Sequence, residues 1–95
     1  MQGQRVFLKC EISMGGFSGE RVFELSTMAG SNYAGIAPVA YCRRNDGSPY
    51  NLHEPSAGEQ GQVMARLIKN GGNGAFVAIP DGEAISVPGN IVVEA

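Results

Sequence analysis

The chain has 95 residues, 43% of them apolar and 17% charged, with a formal net charge of −2. That length suits one domain with one core, and the low charge argues against disorder. The acidic balance argues against a dedicated DNA-binding domain, whose phosphate contacts call for a basic face.

Residues 1–50 hold five Lys/Arg against four Asp/Glu, and residues 51–95 two against five. Behind Met1-Gln2-Gly3-Gln4-Arg5 no signal peptide is visible, and no apolar run approaches the ~20 residues that span a bilayer. A cytoplasmic protein with reduced Cys10 and Cys42 is the expectation, with no membrane partner.

Arg5 to Met14 alternates. Val6, Leu8, Cys10, Ile12 and Met14 share one face, and Arg5, Phe7, Lys9, Glu11 and Ser13 the other, which describes a half-buried antiparallel strand. Gly15-Gly16-Phe17-Ser18-Gly19 turns the chain, and Glu20 to Met28 returns as a second strand. A helix over residues 19–29 competes, because Val22, Leu25 and Met28 lie three apart. The β-branched and aromatic content, with glycine on both sides, favours the strand. After Ala29-Gly30-Ser31-Asn32, Tyr33 to Cys42 reads as a third strand interrupted near Gly35 and Pro38, the proline marking an edge or a bulge. Arg43 to Gln60 has no periodicity, and a loop that long in a small domain is often functional.

The last third carries the densest apolar pattern. Val63, Ala65 and Leu67 alternate with Gln62, Met64 and Arg66; Asn70 to Gly74 forms a hairpin connection; Ala75 to Ile79 is a strand ended by Pro80. Asp81-Gly82 is a tight turn, Ala84 to Val87 a short return strand, Pro88-Gly89-Asn90 a break, and Ile91 to Val93 a closing strand. The glycine-rich turns at 15–19 and 70–74 are too unlike otherwise to suggest a duplication.

Val87-Pro88-Gly89-Asn90-Ile91-Val92 resembles the end of SH3 domains, where a strand ending in Ile/Val-Pro runs through a one-turn helix into a final short strand. Val63-Met64-Ala65-Arg66 resembles the strand before the SH3 distal hairpin. Departures accompany the likeness. Gln62 and Val63 stand where SH3 domains carry an aromatic pair, Ile91 stands where a tyrosine is expected, and the N-terminal aromatic-acidic motif is missing. The resemblance implies a barrel topology without a proline-peptide groove. The expected fold is all-β: a small antiparallel, partly open SH3-like barrel of six or seven strands, one domain over residues 1–95, with a β-sandwich or OB-like barrel as the alternative.

For chemistry, the candidate metal ligands are Cys10, Cys42, His53 and Glu54, with no C-x-x-C or histidine pair, so no metal or cofactor is expected. Glu20 with Glu24, and Asp81 with Glu83, read as a solvated strand face and a turn rather than an acid–base pair. Gly71-Gly72-Asn73-Gly74 lacks the Lys-Ser/Thr of a P-loop. The candidate binding residues are Phe17 in its glycine-flanked turn, Tyr33 and Tyr41 on one strand parity, and Arg43, Arg44, Tyr50 and His53 at or in the long loop. Arginine beside aromatic rings suits a protein hot spot or stacking on bases. In the plainer reading Phe17 folds back over the core, the tyrosines pack at barrel ends, and the arginines pair with Asp46. The expectation is a non-enzymatic interaction module that binds a protein partner or its own copy. The alternatives are a single-stranded nucleic-acid-binding barrel using Arg43, Arg44, Tyr33 and Tyr41, and an enzyme using Cys42 and His53.

Overall fold

Two long strands carry the architecture. β1 (Gln4–Met14) and β5 (Ala57–Gly71) pair antiparallel from Gln4↔Leu67 to Ser13↔Ala57, with a register shift between Ile12 and Ser13. The structure, a computed structural model, describes residues 3–51 and 57–94. The alternation in β1 puts Val6, Leu8, Cys10 and Ile12 into the core, where Val63 and Ala65 of β5 meet them.

The remaining strands are β2 (Glu20–Ser26), β3 (Asn32–Pro38), β4 (Cys42–Arg44), β6 (Gly74–Ala78), β7 (Ala84–Pro88) and β8 (Val92–Glu94). All eight belong to one antiparallel sheet of order β3-β2-β1-β5-β6-β7, with β4 added to β5 and β8 to β1, curled into an open half-barrel. Each long strand divides one edge between two partners. β1 pairs β8 at Val6–Leu8 and β2 at Glu11–Met14, while β5 pairs β4 near Val63 and β6 from Arg66 onward. Leu8, Ile12, Phe23, Ala37, Val63, Val77 and Val87 are fully buried in the resulting core. Among the described residues no helix is long and apolar enough to cross a membrane.

Three sequence expectations are revised. The strand expected over Tyr33–Cys42 divides, because Pro38 cannot extend the ladder and the chain makes a one-turn 3-10 helix at Val39–Tyr41 before β4. The loop expected over Arg43–Gln60 is shorter, since β4 takes its start and β5 its end. The third revision concerns duplication. Both halves of the chain run long strand, strand, strand ending in proline, 3-10 turn, short strand. Pro38 and Pro88 precede the two turns with nearly the same dihedrals, φ −58°, ψ 144° and φ −61°, ψ 142°. Val39 N–H donates to the Gly19 carbonyl and Gly89 N–H to the Asn73 carbonyl, each at 2.8 Å. Gly30 and Gly82 sit at φ +88° and +95° in turns of the same bonding pattern, a left-handed region that favours glycine.

Each short fourth strand crosses to the long strand of the other half: β4 to β5, and β8 to β1. Exchanging the halves about the Leu8–Val63 pair therefore leaves the pairing pattern unchanged. The fold is a duplicated unit with swapped terminal strands, related by a pseudo-twofold axis.

The β1–β2 turn is fixed by Arg21, which is fully buried. Its guanidinium donates to the carbonyls of Ser18 and Glu20 at 2.8 Å and of Asn51 at 3.1 Å. Satisfying the donors in this way is what permits the charge to be buried.

Candidate interaction surface

The alternation that fills the core also builds an outer face. Across β1 and β5, Arg5 lies opposite Arg66, Phe7 opposite Met64, Lys9 opposite Gln62 and Glu11 opposite Gln60. β4 sets Arg43 beside Gln62, β8 sets Val93 beside Phe7, and β2 sets Glu24 beside Glu11. The Arg43 guanidinium carbon lies 3.6 Å from the centre of the Phe7 ring, and its Nε–H donates to Gln62 Oε1 at 2.6 Å. This cation–π contact explains an aromatic side chain on a charged strand face.

β4 leaves β5 at Val63 and β6 joins it at Arg66, so the β5 edge beside Met64 and Ala65 has no strand against it. A cleft of about 370 Å³ opens there. Met64, Ala65, Ala78, Ile79 and Pro80 supply apolar walls, Tyr41 projects from the 3-10 turn, and Arg5 and Arg66 bring two positive charges. Arg66 Nη1 donates to the Gly3 carbonyl at 3.0 Å, and neither arginine has an ion-pair partner among the described residues.

The residues singled out in the sequence separate into different environments. Phe17 stands at the tip of the β1–β2 turn, 74% exposed, and does not fold back over the core. Tyr41 is 41% exposed and joins the cleft, and Arg43 lies on the same outer face. Arg44 stacks on Tyr50, 4.6 Å from the ring centre, and donates to the Pro49 carbonyl at 2.8 Å. Asp46 accepts from the Ser48 hydroxyl at 2.6 Å and from the Ser48 N–H at 2.9 Å, and the Ser48 hydroxyl holds its carboxyl below the usual range. Tyr50 is a core residue, 6% exposed; burial, followed by the nearby Glu59 charge, pushes its hydroxyl up to about 12. Its hydroxyl has no hydrogen-bond partner among the described residues.

Tyr33, on β3, donates to Asp81 Oδ2 at 2.6 Å and packs against Phe23 with ring centres 6.3 Å apart. Burial and then the Asp81 hydrogen bond push its hydroxyl up to about 12. The same carboxylate accepts the Glu83 N–H at 3.0 Å, so the β6–β7 turn is locked to the edge of the other half. His53 lies outside the described residues.

Cys10 and Cys42 are free and buried. Burial and then the neighbouring Cys42 push the Cys10 thiol up to about 12, and burial pushes Cys42 up to about 11. No cluster of three or more His, Cys, Asp or Glu residues able to hold a metal lies among the described residues.

Arg5, Phe7, Met64 and Arg66 were not candidate site residues in the sequence. Their signal was present as outward parity in two alternating strands, but only the register of β1 on β5 brings them together. Searches of protein-family models, of curated proteins and of solved structures find no significant match.

Proposed function

We propose that the protein is a non-enzymatic interaction module that binds a protein partner through the outer face of β1, β5 and β4. The cleft carries this reading. Its apolar walls, one tyrosine and two arginines are the residue types that concentrate binding energy at protein interfaces, and both arginines and Met64 stand on the two long strands. Phe17 offers a second exposed aromatic contact at the opposite end of β1. The two thiols support the non-catalytic reading, since buried groups pushed up to about 12 and about 11 hold little thiolate at neutral pH. Free cysteines agree with a reducing, cytoplasmic setting. We read the scaffold as SH3-like in style, supported by the passage of β7 through the 3-10 turn at Gly89–Ile91 into β8.

An amide NMR spectrum of labelled protein with and without cell extract tests the reading. Shifts should gather at Tyr41, Met64–Arg66 and Ala78–Pro80 and should survive nuclease. Shifts abolished by nuclease would instead assign the face to nucleic acid, and an unchanged spectrum would remove the binding reading.

A further inference from the structure

We propose that the cleft beside β5 takes an acidic peptide segment, one apolar side chain of which seats on Met64, Ala78 and Pro80 while its carboxylates meet Arg5 and Arg66. The inference rests on the interaction-module reading and specifies the chemistry of the partner.

Charge complementarity carries it. Arg5 and Arg66 are direct cross-strand neighbours, a placement that is unfavourable for like charges. Both are exposed, and neither has an ion-pair partner among the described residues. The Gly3 carbonyl takes one Arg66 donor, which holds that guanidinium beside the cleft and leaves its other donors available. A carboxylate between the two arginines relieves their repulsion and accepts charge-assisted hydrogen bonds. Lys9 and Arg43 also point outward on this sheet, with Glu11 and Glu24 beyond them, so the unbalanced positive charge is concentrated at the cleft. Few aromatic surfaces are present for bases to stack on: among the lining residues Tyr41 is the one aromatic, and the remaining walls are aliphatic, Met64, Ile79 and Pro80 among them. That composition favours a peptide over a nucleic acid.

The pseudo-twofold axis supplies an independent comparison. The position equivalent to Arg66 in the first half is Glu11, that of Arg5 in the second half is Gln60, and that of Tyr41 is Ile91. Glu11 lies opposite Glu24, so the equivalent place is acidic. The duplicated scaffold offers two frames and only one has this chemistry, which sets the stoichiometry at one peptide per chain.

A panel of fluorescein-labelled peptides, with aspartates and glutamates flanking a single Leu, Phe or Met, tests this by fluorescence polarisation and amide NMR. At least one should bind one to one, shift Tyr41, Met64–Arg66 and Ala78–Pro80, and weaken as salt rises. R5E/R66E should weaken it roughly tenfold or more, whereas E11Q/E24Q, on the equivalent face, should not weaken it; dispersed spectra confirm that both variants fold. The proposal is overturned if no acidic peptide binds, if Asn/Gln analogues bind equally well, if the shifts fall elsewhere, or if a single-stranded oligonucleotide takes the same residues more tightly. If every peptide fails while nuclease-resistant extract still shifts the cleft residues, the acidic class falls and the interaction module stands.

Discussion

At the scale of single residues, two buried groups tie the interior together by opposite means. Arg21 satisfies three backbone carbonyls, and replacing it by methionine keeps most of the volume while stripping those carbonyls of their donors. These bonds are part-buried, and each one lost costs about 0.5–1.5 kcal/mol, so Arg21→Met should lower stability by about 2–4 kcal/mol in urea unfolding. A loss below about 1 kcal/mol would mean that water takes over the donors' place. Tyr50 is the reverse case, a buried hydroxyl with no partner among the described residues. It crowds Gly61, where an added Cβ would lie 2.7 Å from the hydroxyl and 2.8 Å from Ile12 Cγ1. Gly61→Ala should cost about 1–3 kcal/mol by overpacking, and Tyr50→Phe should be neutral or stabilising. Because the two changes share one contact, the double variant should lose less than the sum of the singles. Strict additivity in a double-mutant cycle would show that Ile12 and the Arg43 carbonyl, 3.1 Å from the added Cβ, set the limit instead.

At the scale of elements, the duplication explains both what sequence reading reaches and where it stops. The phases of β1 and β5, the Asp81-Gly82 turn and the break at Pro88 follow from alternation and turn chemistry alone. β4 is three residues long, too short for a period, and it is a strand because β5 of the other half pairs with it. The cleft escapes notice for a related reason: its walls come from β1, β5, the end of β6 and a 3-10 turn, and no local pattern joins them. The repeat is hidden because equivalent core pairs exchange size. Phe23 faces Gly35 across β2 and β3, whereas the equivalent Val77 faces Ile85 across β6 and β7. An added Cβ on Gly35 would lie 2.7 Å from the Phe23 ring and 3.0 Å from Asp81 Oδ2, so the large ring fills most of what the glycine leaves. Moving the second half's solution into the first tests this. Phe23→Val alone opens a cavity and Gly35→Ile alone overpacks, each costing about 1–3 kcal/mol or more. Together they should lie closer to wild type than either single variant in urea midpoints, and a double variant worse than both would refute the exchange.

At the scale of the whole molecule, four titrating groups couple the fold to alkaline pH. Cys10, Cys42 and Tyr50 belong to the one core that both halves build, and Tyr33 reaches across the halves to Asp81. Burial leads the causes in all four, raising Cys10 to about 12 and Cys42 to about 11 from 9.0, and Tyr33 and Tyr50 to about 12 from 10.0. In each case the folded state holds its proton more tightly than the unfolded chain does. Their contribution is therefore fully present below the unfolded values, begins to fall near pH 9 as unfolded thiols ionise, and is lost as pH rises through the folded values near 11 to 12. Urea midpoints measured from neutral pH to about pH 11 should stay level and then drop. Cys10→Ala with Cys42→Ala, compared with its own neutral-pH midpoint, should move the onset upward by about one pH unit, because the tyrosines then titrate first. Tyr33→Phe should flatten the later part of the fall, because the proton shared with Asp81 is gone. A midpoint constant across this range would show that these groups reach solvent in the folded protein as readily as in the unfolded one, which the buried placement of Cys10 and Cys42 between β1, β5 and β4 opposes.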